Sequence, residues 1–413
     1  MTEVAYSSDE LNPPKWLNSE FFTAALRKFT KNETLEVTKV ELRPGTKAGE
    51  HYTSIMFKAK VFYDSKNVSE NSMDLILKTI PVEEGHKMDL LKESTVFKTE
   101  MRIYGEVLPE MQKLLKQIDD ETIIAPTLVY QSNDPAPVIV FIDEGPKGFK
   151  PYEKPFTFEQ VQVLIERIAK FHACSFFLQK IGKLSNFDDC PFTKAEGKVD
   201  LLSLFYRDCV FDALKTVKKW KECESYKDIL EKITQIFDER LEEIFQDKSK
   251  QPYQVLLHGD FQFKNMISRN GGLRSEDFLL LDYQYCYWNS PAIDVISLLC
   301  CCCDANTRKN HREEVIRKYF KIFNETLVKL DYKEALPRLL DLQLEMIRCG
   351  MVEFMFFMSF TPFQLIDFSK LDLNKLMETR DFHGATKEVF ETEGFKEDLL
   401  KRLEFLVDMG ALE

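Results

Sequence analysis

Asp260, Asn265 and Asp282, in VLLHGDFQFKNMISRNGGLRSEDFLLLDYQ, are the residues whose types and spacing could do chemistry. One carboxylate to orient an attacking hydroxyl, plus an amide oxygen and a second carboxylate for a hard cation such as Mg²⁺, is what phosphoryl transfer requires. That reaction depends on positioning and charge neutralisation more than on covalent chemistry. VLL reads as a short buried strand ending at His258-Gly259-Asp260, with Asn265 five positions after Asp260. Met266–Ser268 and Phe278–Asp282 read as two strands of a hairpin turning at Asn270-Gly271-Gly272. Opposed ladder residues lie ~5 Å apart, so the open end of that hairpin is expected to place Asn265 beside Asp282. His258 is expected to brace the Asp260 loop by hydrogen bonding rather than to move protons. Taken alone, His-Gly-Asp would be a tight turn with a capping Asp; Asn265 and Asp282 are what outweigh that reading.

The elements that must position these residues begin with a helix over LNSEFFTAALRKFT, residues 17–30. A period of two follows. Leu35, Val37, Val40 and Leu42 predict a first strand with a slip near Thr38, SIMFKAKVFY a second and MDLILKTI a third. A helical stretch from about His86 to Gln117 comes next, then APTLVY and VIVFID as two further strands around SNDPAP. From Phe156 onward apolar residues recur at i, i+3, i+4, as at Val161, Leu164, Ile165 and Ile168, apart from the strand–turn–strand at 254–283. The fold class is therefore α+β and bilobal. Residues 1–143 form an N-terminal helix and β-rich lobe, and 144–413 a helical lobe carrying the loop 258–265, with a hinge near Asp143–Phe149.

The β-rich lobe contributes two charges. Lys78 lies within LILKTI, where a half-buried ammonium needs a partner. Glu100 follows on a helix whose buried face is marked by Phe97, Met101 and Tyr104. A strand Lys paired with a helix Glu is the clamp that kinases place on the α- and β-phosphates. The bland alternatives are a snorkelling edge-strand Lys and a solvated Glu. The loop Pro44–Ser54 holds only Gly45 and Gly49, which is not G-x-G-x-x-G; its position between the first two strands gives it a nucleotide-covering role. His172, on the apolar face of its helix, reads as a core histidine.

The chain has 413 residues, 56 Lys+Arg against 68 Asp+Glu and a net charge of −12, which argues against a general nucleic-acid binder. The N-terminus has neither a basic start nor an apolar stretch, and the most apolar later windows are broken by Asp294 and Glu353, so neither a signal peptide nor a membrane span is expected. Ten cysteines in that setting read as reduced thiols in a cytoplasmic protein. Cys300–Cys303 would point in four directions from a helix and so cannot close around one zinc. The sequons at Asn32, Asn67 and Asn324 mean little without export.

Together these residues resemble the insect ecdysteroid kinase-like family, also called CHK kinase-like, within the aminoglycoside phosphotransferase and choline kinase group. The resemblance covers nearly the whole chain: PPKWLN, GTKAGEHYTS, FKTEMRIY, KGF, AKFHACS, HGDFQFKN and DYQ followed by SPAID are all similar to that family. It implies a bilobal protein-kinase-like fold that uses ATP and Mg²⁺ to phosphorylate a hydroxyl of a small molecule, ecdysteroids and xenobiotics being the associated substrates. By the match, Asp260 is the catalytic carboxylate, with His258 beside it. Asn265 and Asp282 are the metal ligands, and Lys78 and Glu100 the phosphate clamp. Gly45, Gly49, Ser54 and the hinge at Asp143 border the nucleotide. Two departures stand out. The hinge is Phe141-Ile142-Asp143-Glu144 where the family carries Leu-Glu-Asp-Leu-like residues. Lys264 replaces a frequent Asn, adding a positive charge beside the metal site in reach of a phosphate. Gly259 in place of the Arg of H-R-D, and the short stretch from Asp282 to Ser290-Pro291 with no A-P-E, argue against a protein substrate.

The helical lobe is expected to supply the acceptor pocket. Met346, Met351, Phe354, Met355, Phe356, Phe357, Phe360 and Phe363 form a stripe that is more often core than site. In a chain with 34 Phe it would also suit a flat apolar substrate. A choline-type cation would want an aromatic cage with acids, and Glu345 and Glu353 do not make a convincing one. The competing readings are a nucleotide- or lipophile-binding protein without transfer, an aminoalcohol kinase, and a metal-dependent hydrolase. The last is disfavoured because no H-x-x-x-H, G-x-S-x-G or P-loop pattern is present. No obligate protein partner is evident.

Overall fold

The structure is a computed structural model describing residues 8–46, 54–66, 68–80, 95–184, 187, 190, 201–366, 376, 379 and 381–413. The chain divides into two compact units. The first comprises the described residues of Met1–Pro109, Ala125–Lys150 and Leu279–Gln284; the second comprises Glu110–Ile124, Pro151–Phe278 and Tyr285–Glu413. These units are interleaved in sequence, where the sequence reading expected one boundary at 143/144. Segment 110–124 groups with the helical unit and 279–284 with the sheet.

The first unit is built on an antiparallel sheet of β1 (Glu36–Pro44), β2 (Ile55–Ser65), β3 (Val68–Thr79), β4 (Leu128–Ser132) and β5 (Val138–Ile142), in the order β1-β2-β3-β5-β4. The register slips between Val37 and Lys39, where the alternation breaks at Thr38. In register, Phe57, Leu77 and Val140 align across β2, β3 and β5, and so do Met56, Lys78 and Ile139. Successive residues face opposite sides of a sheet. Phe57, Ala59, Val61, Leu75, Leu77 and Val140 therefore share one face, buried together with Phe22 and Leu26 of the helix Ser19–Thr30. Lys78 is on the opposite face. That helix starts where Asn18 accepts a hydrogen bond from Phe21 N–H at 3.1 Å, and it ends on Lys31 in a left-handed conformation. Helix Val96–Arg102 carries Glu100 and widens into a π turn at Ile103–Val107. The part of the expected helix before residue 95 lies outside the described residues.

The second unit is largely helical. Its long helices Phe158–Lys180, mostly buried, and Arg312–Lys329, buried along one face, pack together, and Gly350–Leu365 runs through its core. Of the Met/Phe stripe, Met346, Met351, Phe354, Met355, Phe356, Phe357 and Phe363 are buried, so it is packing material; Phe360 is the partly exposed member and touches Tyr206, with ring centroids 5.1 Å apart. Cys300–Cys303 are all buried, three of them inside a π turn, Leu298–Cys302. Burial pushes the Cys300 thiol up to about 12 and raises the other three as well, so these thiols stay protonated and inert. Among the described residues, no group of three or more His, Cys, Asp or Glu side chains gathers as a metal site, and no helix is long and apolar enough to cross a membrane.

Candidate active site

In the sheet unit, the ammonium of Lys78 projects from a buried strand position and must find anions. It lies 2.6 Å from Glu100 Oε2 and 2.6 Å from Asp282 Oδ1. Burial alone would make Lys78 easier to deprotonate; the carboxylates of Asp282 and then Glu100 outweigh this and hold it charged, above the usual lysine value. Burial pushes the Glu100 carboxyl up to about 7 despite the opposing Lys78 charge, and Asp282 pushes it the same way. Asp282 is not the last residue of a strand, as the hairpin reading had it. The strand stops at Leu280, and Asp282 has φ 65, a left-handed backbone uncommon for a residue with a Cβ. Its side chain is 27% exposed against 8% for Lys78, so it is the accessible member of the cluster.

The loop expected to cover a nucleotide is described only at its two ends. Gly45 N–H donates to Met56 O at 2.8 Å, and a Cβ on Gly45 would lie 2.9 Å from the Met56 backbone, so only glycine lets the strand pair close there. Ser54 immediately precedes β2 and is half-buried. Gly49 lies outside the described residues. At the hinge, Asp143 N–H donates to Asp74 O, and its carboxylate accepts from Gly145 N–H at 2.8 Å and pairs with Lys58 at 3.1 Å.

In the helical unit, the loop after Val255–Leu256 turns through Gly259 at φ 79. Asn265 Nδ2 donates to the carbonyl of Asp260 at 2.9 Å and to its Oδ2 at 2.7 Å, while Gln262 Nε2 donates to Oδ1 at 2.8 Å. The five-residue spacing thus lets an amide fix the carboxylate. With its NH₂ so committed, the oxygen of Asn265 is the part a hard cation would use. Lys264 is exposed on the 3₁₀ turn Phe263–Asn265. His258 is buried, and its ring meets Phe261 edge-on at 5.6 Å.

Asp294 is a residue to which the sequence reading assigned no role at the site. It is 1% exposed, and it accepts from His258 N–H at 2.6 Å and Gly259 N–H at 3.2 Å. Its Oδ2 also lies 3.1 Å from His172 Nε2, whose Nδ1 is 2.8 Å from the Tyr319 hydroxyl. The signal was present in PAIDVISLLCCCC: a lone carboxylate in an apolar run has to be satisfied somewhere. It straps the turn that presents Asp260. Ser297 Oγ and Cys302 Sγ both donate to the next carbonyl, Phe261 O, at 2.9 and 3.4 Å, so the cysteine run backs the same loop.

The strap implies a strict requirement at Gly259. A Cβ there would lie 2.0 Å from Tyr285 O, on a left-handed backbone. Gly259→Ala is expected to cost at least the ~1–3 kcal/mol of a strained φ and to lower turnover more than nucleotide binding. Thermal melting alongside steady-state kinetics checks this, and a variant with wild-type melting and turnover refutes it.

Asp260 with Asn265, and Lys78 with Glu100 and Asp282, are thus the groupings that form. A sequence model described as the ecdysteroid kinase-like family matches residues 48–332. The chain belongs to the ecdysteroid kinase-like family. It is a small-molecule kinase of that type, and its fold is an N-terminal five-stranded antiparallel sheet with a largely helical remainder. No match was found among curated proteins. Among solved structures, the chain is similar to a GDP complex of a point variant of aminoglycoside 2'-phosphotransferase-IIIa, at 14% identity and TM-score 0.41, over 94% of this chain and 100% of that one. It is also similar to a glucosamine kinase, at 12% identity and TM-score 0.39, over 87% and 81%. At these scores the likeness adds nothing to the family assignment.

Proposed function

We propose that this protein transfers the γ-phosphoryl group of ATP to a hydroxyl of a small lipophilic molecule, an ecdysteroid-like steroid or a xenobiotic alcohol. The observation that carries this reading is the buried Lys78 ammonium held at 2.6 Å by both Glu100 and Asp282. A strand cation steadied by a helix carboxylate is what a triphosphate needs. Asp260, fixed by Asn265, orients the acceptor hydroxyl and takes its proton as the oxygen bonds to the γ-phosphorus and the bond to ADP breaks. His258 shapes the turn through its backbone, and the exposed Lys264 is offered to phosphate oxygens. Asp282 and the oxygen of Asn265 are oxygen donors suited to Mg²⁺, which takes one or two carboxylates and fills its shell with water and phosphate oxygens. When bound, Mg²⁺ would neutralise phosphate charge.

An aminoalcohol acceptor is less well supported. Glu345 is paired with Arg348 at 2.9 Å, and Glu353 with Arg312 at 2.8 Å and Arg402 at 3.1 Å, so neither acid is offered to a cationic substrate. Incubation of the protein with ATP, Mg²⁺ and a lipophilic metabolite extract is expected to yield products heavier by one phosphoryl group. Their formation should be lost in Lys78→Met. An extract unchanged across steroids, terpenoids and aminoalcohols, with nucleotide still binding, would favour a ligand-binding protein instead.

A further inference from the structure

Lys78 serves two masters in this site. As a phosphate clamp its ammonium has to turn at least one hydrogen toward the nucleotide, yet it is engaged by Glu100 and Asp282 at 2.6 Å each. Glu100 is 1% exposed on its helix and cannot follow; Asp282 is the accessible partner and the one to be released. Once released, its carboxylate must keep its direction if it is to hold a metal, although it stands on a left-handed backbone beyond the end of a strand. One neighbour touches both ends of the ion pair. Gln284 lies two residues on, in the 3₁₀ turn Tyr283–Tyr285, and is 8% exposed. Its Nε2 donates to Asp282 Oδ2 at 3.3 Å, the oxygen that Lys78 does not use, and its Oε1 is 3.5 Å from Lys78 Nζ. The helix bearing Glu100 holds the same segment: Tyr104 packs edge-on against Tyr283 at 5.5 Å.

We propose that Gln284 is a positioning residue for the metal–nucleotide complex, holding the Asp282 carboxylate in its ligand-accepting orientation when Lys78 leaves it for a phosphate. The inference rests on the reading of Asp282 as a metal ligand. A neutral amide suits this post. It supplies the donor that orients the carboxylate without adding an anion, which would repel it, or a cation, which would compete with the metal. Partners of this kind, one step behind a ligand, typically govern 10–100-fold in metal affinity.

The test is calorimetric titration of Mn²⁺ into the full chain saturated with ADP, and of ADP without metal. Gln284→Met, nearly isosteric but unable to donate, is expected to weaken the Mn²⁺ step by about 10–100-fold and leave metal-free ADP binding unchanged. Gln284→Asn, which keeps an amide of shorter reach, reads the same quantity should the Met variant fold poorly. Asp282→Asn is titrated beside them. If it loses Mn²⁺ affinity while both Gln284 variants match wild type, the positioning role is wrong and the reading of Asp282 survives. If Asp282→Asn also matches wild type, the metal-ligand reading itself falls and the positioning role with it.

Discussion

Asp260→Asn is expected to lower ATP-dependent phosphorylation by a factor of about 10²–10⁴, the usual contribution of a positioned acid–base group, with nucleotide affinity unchanged. The separation follows from where Asp260 sits. Its carboxylate is held at both oxygens, by Asn265 at 2.7 Å and Gln262 at 2.8 Å, on a turn whose backbone is strapped by Asp294. An amide of the same shape leaves that turn in place but cannot accept the hydroxyl proton. Lys78 and Glu100, which meet the nucleotide in this reading, belong to the other unit. Product formation with an identified acceptor, beside an ADP titration, decides the matter. Turnover within tenfold of wild type would remove Asp260 from the mechanism.

The largest expected loss of stability lies away from the chemistry, in Glu353→Ala. Glu353 is fully buried. Its two oxygens each meet a nitrogen of Arg312 at 2.8 Å, and Arg402 adds a third contact at 3.1 Å, with Phe405 beneath both guanidinium groups. Removing the carboxylate strands two buried cations, which costs about 3–5 kcal/mol. The acid side of the stability profile tests the same network. Burial would raise the Glu353 carboxyl, but Arg312 and then Arg402 outweigh it, so in the folded protein it titrates below its ordinary value. The unfolded chain therefore takes up this proton first. The contribution is complete above the ordinary glutamate value near ~4.3 and is lost as pH falls through the lower folded value. Urea midpoints measured from neutral to acid pH should fall steeply in wild type and less steeply in Glu353→Gln. Parallel curves, or an Ala variant within about 1 kcal/mol of wild type, would mean that the arginines find other partners.

Much of the candidate site could be read before any coordinates, and the reason is locality. The H-x-D-x-x-x-x-N spacing places Asn265 against Asp260 within one loop, because five residues around a 3₁₀ turn bring the amide back to the carboxylate. Lys78 was legible because an ammonium in a hydrophobic strand demands a counter-charge, and the next helix offered Glu100. The hairpin reading went one step too far at Asp282. Its apolar lead-in, FLLL, looked like strand to the end, whereas the strand stops at Leu280 and the backbone is left-handed at Asp282 itself. Asp294 and Glu353 were both noticed, as charges interrupting apolar windows, Asp294 also as the end of SPAID and Glu353 as a rejected cage acid, but neither was given a buried partner.

The sequence by itself determined the inventory and the local forms: five strands by alternation or by short apolar runs beside turns, helices by their spacing, and a set of oxygen and ammonium groups suited to phosphoryl transfer. These depend on neighbours a few residues apart, where sterics and periodicity leave little choice. Only the tertiary structure decided which buried charge meets which. Asp294 reaches His172 across 122 positions, Arg312 and Glu353 are 41 apart, and Lys78 finds Asp282 and Gln284 more than 200 residues away. A buried charge requires a partner but does not specify one, and that choice is made by the packing that brings distant segments together.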